Sequence, residues 1–385
     1  MRLAPICSNA LTRNLGEQQR MAMPTEDQLI RALRDVQDPD LARGLIEAKM
    51  IKEISINGGA VTIHVELALP ASSAREQLEA DVRAAAMSVD GVGDVAVRFS
   101  SRIRQAGGGM PDRTPIPGVK NTIAVASGKG GVGKSTVAVN IAASLARDGA
   151  KVGLLDADVY GPSIPLMMGT SARPLMDPET KRIIPLEAFG VKIMSIGFLL
   201  EPDRALIWRG PLVAQLINQF LNEVNWGDLD YLVLDLPPGT GDVQLTLVQK
   251  IPVTGAVIVT TPQDVALADA IKGIQMFKEV KTPILGIVEN MSFFVCPSCG
   301  ERTDVFGSGG GERTAKRYDV PLLGAIPLHT SIREGGDIGH PIVVSEPDSS
   351  AGTAFRDAAR SCALKLAISA IETPRKQRIM LKQAR

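Results

Sequence analysis

The stretch Gly128-Lys129-Gly130-Gly131-Val132-Gly133-Lys134-Ser135 matches G-x-x-x-x-G-K-[ST]. Glycines at these places let backbone N–H groups curl around phosphate oxygens with no Cβ in the way. Lys134 is placed to neutralise β- and γ-phosphates. Ser135, with Thr136 behind it, offers a hydroxyl to Mg²⁺. The substrate such a loop expects is ATP with magnesium. The loop also carries a second lysine, Lys129, for which a phosphate cradle alone has no use. Two acidic segments suit the same site. "LVLDLPPG" puts Asp235 at the end of an apolar strand, where an acid can stand beside the metal. "LLDADVYGPS" puts Asp156 and Asp158 at the end of another. Alternate residues of an extended chain point the same way, so this pair could hold metal waters and orient an attacking water. Acids at such places can also cap a helix or a turn.

A second kind of chemistry is written in "FFVCPSCGERTDVF", where Cys296 and Cys299 form C-x-x-C. One chain supplies two thiolates, whereas a tetrahedral metal site or a cubane cluster takes four. Two copies meeting at a twofold axis would supply them. Spacing alone favours a zinc site and leaves an iron–sulfur cluster and a redox dithiol open. The dithiol is disfavoured because the pair lies in a polar loop and does not open a helix.

These groups need rigid elements to position them. Short apolar runs occur at "TIAVAS", "KVGLLD", "YLVLDL", "GAVIVTT", "ILGIVEN" and "LLGAIP", mostly separated by helical stretches. That pattern predicts an α/β domain with a mostly parallel sheet covered by helices on both faces, over residues 119–372. The phosphate loop falls between the first strand and the helix after it, with the helix N-terminus facing the anion. A last helix, about 353–371, carries Phe355, Ala359, Cys362 and Leu366 on one stripe, which makes Cys362 a packing residue. Residues 25–99 read α-β-β-α-β, a small α+β domain. Thr25 is its first helix cap, Asn57-Gly58-Gly59 its hairpin turn, and a serine of "SSAREQL" the cap of its second helix. Residues 100–118, with four glycines and three prolines among residues 100–119, read as a linker. Residues 373–385 read as a basic, frayed tail.

Composition sets outer bounds. The 385 residues are 45% hydrophobic and 22% charged, which suits a folded chain of two domains. The formal net charge of +0 supplies no field for nucleic acid or an anionic membrane, and 4% aromatics leave little for base stacking. No apolar run is long enough to span a bilayer. Neither nucleic acid nor membrane is therefore expected as a partner. Four cysteines (Cys7, Cys296, Cys299 and Cys362) make no disulfide framework. The first 24 residues carry three arginines and one acid. That suits an organelle transit peptide, a disordered end, or a start at Met21 or Met23. The expected location is cytoplasmic, or a stroma or matrix if the segment is a transit peptide.

"KGGVGKST", with lysine second in the loop, resembles the deviant Walker A ATPases, the class of the nitrogenase iron protein, MinD and ParA. "WRGP", "LDYLVLDLPPGTGD", "ENMSFFVCPSCG" and "FGSGGGE" resemble its Mrp/ApbC branch of iron–sulfur cluster carriers, over about residues 118–371. The resemblance implies an ATPase that works as a homodimer. Lys129 then reaches the nucleotide held by the other subunit, Asp158 orients water, Asp235 serves the metal and Asn290 recognises adenine. It also implies a labile [4Fe–4S] cluster on Cys296 and Cys299 bridging the subunits, with scaffold proteins and apo iron–sulfur proteins as partners. The rival reading is a MinD- or ParA-like positioning ATPase with a zinc-bridged dimer, which gives the cysteines less to do. A nitrogenase-type reductase would take its cysteines from separate segments. Residues 25–99 resemble a metal–sulfur assembly domain through "VQDPDL", but Ser72 or Ser73 stands where that family often has cysteine. A docking or regulatory role is expected of it.

Overall fold

The computed structural model describes residues 23–107, 114–199 and 210–372. Cys7, most of the first 24 residues, Trp208 and Arg209 of "WRGP", and the basic tail lie outside the described residues. The chain divides into two compact units, the second beginning, apart from residues 68–71, at Ile103.

The first unit contains α1 (Glu26–Ala32), β1 (Gln37–Asp38), β2 (Arg43–Gly44), β3 (Ile51–Asn57), β4 (Ala60–Leu67), α2 (Arg75–Met87) and β5 (Asp94–Ser101). Thr25 caps α1 in a full capping box with Gln28. The β3–β4 hairpin closes through Gly58-Gly59, with Gly58 at φ +61°, as a two-residue loop requires. A parallel β4–β5 pairing follows, with α2 as the crossover. Leu29, Leu33, Val61, Ile63, Val65, Leu78 and Val82 are buried. One expectation fails here. α2 starts after Ala74 with no side-chain cap. Ser72 instead donates its hydroxyl to Asp40 Oδ2 at 2.7 Å. The same Ser72 oxygen accepts the Ala74 N–H at 3.2 Å, one residue ahead of the helix, so it braces the approach to α2 without capping it.

The second unit runs β6 (Val119–Ala126), α3 (Lys134–Arg147), β7 (Val152–Asp156), α4 (Ile164–Met167), β8 (Leu186–Ala188), β9 (Val191–Ser195), α5 (Gly210–Glu223), β10 (Leu229–Asp235) and α6 (Asp242–Lys250). It continues with β11 (Gly255–Thr260), α7 (Asp264–Glu279), β12 (Ile284–Glu289), β13 (Phe294–Val295), β14 (Arg302–Thr303), α8 (Gly310–Tyr318), β15 (Leu322–Ala325), α9 (Thr330–Ile338), α10 (Ile342–Ser345) and α11 (Ser350–Glu372). Eight strands form one sheet in the order β15-β12-β11-β6-β10-β7-β9-β8, parallel except for the β8–β9 pair. The six apolar runs are its six central and left-hand strands. β8 and β9 were not legible as strands. Every residue of β7 and β11 is buried, as expected of strands covered on both faces. α11 packs on α3, β12 and β15, with Phe355, Ala359, Cys362 and Leu366 all buried. No described helix is long and apolar enough to cross a membrane.

Candidate functional site

The loop after β6 turns back at Gly131 and Gly133, both at left-handed φ (+82° and +80°), and enters α3 at Lys134. Two glycines are held by close packing. A Cβ at Gly128 would lie 2.1 Å from the Asp269 carbonyl oxygen of α7. One at Gly133 would lie 2.2 Å from the Asn290 amide nitrogen. Ser127 ties the start of the loop by donating its hydroxyl to the Lys129 carbonyl at 2.8 Å. The Lys129 side chain is exposed and carries no ion pair with another described residue of its own chain. Gly130 is open: a Cβ there would meet nothing within 4 Å.

Lys134 is buried, and its Nζ lies 2.6 Å from Asp235 Oδ1, 3.3 Å from Asp158 Oδ2 and 3.3 Å from Ser135 Oγ. Burial would lower its pKa, but the charges of Asp235 and Asp158 more than offset this and hold the ammonium above its usual range. Asp235 and Asp156 are direct neighbours across the β10–β7 pairing, and both are fully buried. Burial pushes Asp156 well above the usual carboxylate range, and the charge of Asp235 adds to it. Burial also raises Asp235, against the pull of Lys134. One oxygen of Asp158 and one of Asp235 are buried without a hydrogen-bond partner.

Asp156 departs from the expectation that it joins Asp158 in holding metal waters. Its Oδ1 accepts the Asp158 N–H at 3.1 Å, while its Oδ2 accepts the Ile164 N–H at 3.3 Å and the Ser195 hydroxyl at 2.9 Å. The reason is that β7 ends at Asp156. Strand alternation therefore stops before Asp158, and the two carboxylates take different directions. Asp158 turns to Lys134, and Asp156 pins the backbone that carries Asp158.

A cavity of about 390 Å³ opens from Gly133 and Thr136. Its walls come from α4, from Asn290 and Met291 after β12, from Pro327–His329 after β15, and from Ile332, Arg333 and Gly336 of α9. Asn290 is buried and donates its amide to the Val132 carbonyl at 2.9 Å, so it fastens the phosphate loop as well as lining this cavity. The walls from α4 and α9 were missed in the sequence. The signal available was that ligands of open α/β sheets gather at the carboxyl ends of strands, which is where Pro327–His329 lie.

Cys296 and Cys299 occupy the turn of the antiparallel β13–β14 ribbon. Cys296 N–H donates to the Glu301 carbonyl at 2.9 Å and Gly300 N–H to the Cys296 carbonyl at 2.8 Å. The nearby backbone N–H groups of Cys299 and Ser298 hold the Cys296 thiol below its usual range. Cys296 is half-buried and Cys299 exposed. Cys362 is buried, and burial pushes its thiol up to about 12. Among the described residues no group of three or more His, Cys, Asp or Glu is arranged to hold a metal ion. Among the described residues, two thiols thus stand outside the core.

Comparison with known proteins follows this geometry. Residues 118–363 match the family described as NUBPL iron-transfer P-loop NTPase, and residues 26–99 match the iron–sulfur cluster assembly protein family. The iron–sulfur cluster carrier protein of Synechocystis is 49% identical over 353 residues, 91% of this chain and 100% of its own. The protein of the same name in Escherichia coli is 47% identical over 336 residues, 87% of this chain and 90% of its own. A solved nucleotide-binding protein from Archaeoglobus fulgidus, in complex with ADP, is 43% identical, with a TM-score of 0.54 over 61% of this chain and 91% of its own. The loop, the acids around Lys134 and the matches along both units lead to one assignment: the chain belongs to the NUBPL and Mrp/ApbC family of iron–sulfur carrier ATPases, within the ParA/MinD class of P-loop proteins.

Proposed function

We propose that the chain works as a homodimer that binds and hydrolyses ATP, holds a labile [4Fe–4S] cluster between its two copies, and passes that cluster from scaffold proteins to apo iron–sulfur proteins. The observation that carries this reading is the cysteine turn. Two accessible thiols stand on one ribbon, and this turn has half the ligands a cluster takes. A second copy related by a twofold axis completes the set without further residues.

The same reading assigns the nucleotide roles. Lys134 exchanges its carboxylate partners for phosphate oxygens. Lys129, in no ion pair with another described residue of its own chain, reaches the partner's nucleotide when the dimer closes, so closure and nucleotide sensing become one event. Magnesium fits the donors present, namely the Ser135 hydroxyl and the unbonded oxygen of Asp235, and when bound it would draw charge from the phosphates. Asp158, with its own unbonded oxygen, orients water, and Asp156 holds Asp158 in place through its N–H. Asn290 takes the base side of the nucleotide.

The test is the iron, sulfide and zinc content and visible spectrum of anaerobically purified protein. The expected result is about four irons and four sulfides per dimer. Cys296→Ala and Cys299→Ala should lose both while still binding ATP, and Cys362→Ala should keep both. Zinc alone on the two cysteines, or iron retained by Cys296→Ala, refutes the carrier reading as stated.

A further inference from the structure

The carboxyl end of β12 is a junction where consecutive residues hold different parts of the second unit. The Glu289 carboxylate accepts the N–H of Gly311 in the first turn of α8 and the hydroxyl of Ser292. Asn290 fastens the phosphate loop through the Val132 carbonyl, and its own N–H donates to Thr260. Ser292 N–H donates to the Ile326 carbonyl at 2.8 Å, and Leu328 N–H to the Phe293 carbonyl at 2.7 Å. Phe294 then bridges to Leu328, and Cys296 follows two residues on.

Met291 sits in the middle of this junction at φ +53°. The left-handed region suits glycine, and asparagine tolerates it; methionine occupies it at a cost. The conformation is imposed from both sides, by the hydrogen bonds of Asn290 and Ser292 to two neighbouring segments. The Met291 side chain forms part of the cavity wall, its methyl carbon 3.8 Å from where a Cβ on Gly133 would stand. The opposite wall of the same turn, Pro327 and Leu328, is the segment to which the cysteine ribbon is bonded. A strained residue thus faces the cavity at the point where the chain leaves it for the cysteines.

We infer that Met291 is a positioning residue that couples occupancy of this cavity by a nucleotide to the geometry of the Cys296–Cys299 turn. The inference rests on the cavity being the nucleoside side of the nucleotide site. A group filling the cavity bears on the Met291 side chain and on Leu328. When the side chain yields, the strained Met291 backbone rotates and carries Phe293–Cys296 with it.

The experiment uses the full chain without cluster and MgADP as the probe. Calorimetry measures ADP binding, and mass spectrometry follows iodoacetamide alkylation of Cys296 and Cys299. Saturating MgADP should change the alkylation rate by about fivefold or more, the lower end of coupling between linked sites. Met291→Leu keeps both the strain and a side chain in the wall, and should keep the response. Met291→Gly removes both, and at an ADP concentration that calorimetry shows to saturate it the response should fall to less than about twofold. Buried Cys362 is an internal control: its alkylation would reveal a variant that has not folded, in which case Met291→Asn serves in place of glycine, with the same expected loss. ADP binding without any change in wild-type alkylation overturns the coupling, as does a full response in the glycine or asparagine variant. Failure of the wild type to bind ADP overturns the nucleotide reading of the cavity itself.

Discussion

Replacing Lys134 with alanine in the nucleotide-free protein removes the one ammonium among three buried acids. Its Nζ lies 2.6 Å from Asp235 and 3.3 Å from Asp158, and Asp156 is the cross-strand neighbour of Asp235. Losing one partner of a buried ion pair costs about 3–5 kcal/mol when the other charge persists. The protein has an escape, because Asp235 and Asp156 already sit above the usual carboxylate range, through burial first. Without Lys134 the pull that opposes burial at Asp235 disappears, and its pKa rises further. A carboxyl whose folded pKa exceeds its unfolded value binds more protons when folded, so stability is lost as pH climbs from the unfolded value toward the folded one. The deficit of Lys134→Ala should therefore grow with pH, from about 1–2 kcal/mol near pH 5 to about 3–5 kcal/mol near pH 8. Urea unfolding followed by tryptophan fluorescence reads this unit alone, since Trp208 and Trp226 both fall in it. A deficit that is the same at both pH values, or larger at the lower one, would show that Lys134 does not compensate these acids.

Two more outcomes are expected. Lys129→Ala should bind nucleotide and lose hydrolysis. Mixed with an equal amount of Asp158→Ala it should regain about a quarter of the wild-type rate, because half of randomly formed dimers carry one intact site of two; no recovery in proven mixed dimers would remove the action across subunits. Gly128→Ala should lower nucleotide-free stability by about 1–3 kcal/mol in thermal unfolding, because its Cβ meets the α7 backbone, whereas Gly130→Ala faces open space and should change little. Equal effects of the two would mean that α7 does not buttress the loop.

The legible part of this molecule was the part written in local pattern. Buried parallel strands are near-continuous apolar runs, so β6, β7, β10, β11, β12 and β15 could be read along with the loop that follows the first of them. β9 was not read because Lys192 breaks its run and the strand is five residues long. With it went Ser195, the hydroxyl that engages Asp156. The division of labour between Asp156 and Asp158 was illegible because it depends on where β7 stops, which pattern locates only loosely. The α4 and α9 walls of the cavity lay hidden for another reason. α4 is a single turn of four residues, and its role comes from packing against α9, far along the chain. Thr25 was readable as a cap, whereas the bond from Ser72 to Asp40 was not, since the two are 32 residues apart in sequence.

The strand order has a consequence for how the protein is made. β6 pairs only with β10 and β11, both encoded more than 100 residues after it begins. During synthesis the strand that leads into the phosphate loop therefore emerges with neither neighbour in existence. β7 is made next, yet it must leave room for β10 to enter between itself and β6. At about 5–20 residues per second, Asp235 follows Lys134 out of the ribosome after roughly 5–20 s. Until then two largely apolar strands have open edges, the kind of surface that invites misassociation. A nascent chain of this protein thus exposes the kind of edge that chaperones cover before it can bind nucleotide, and slower synthesis between β7 and β10 would prolong that exposure.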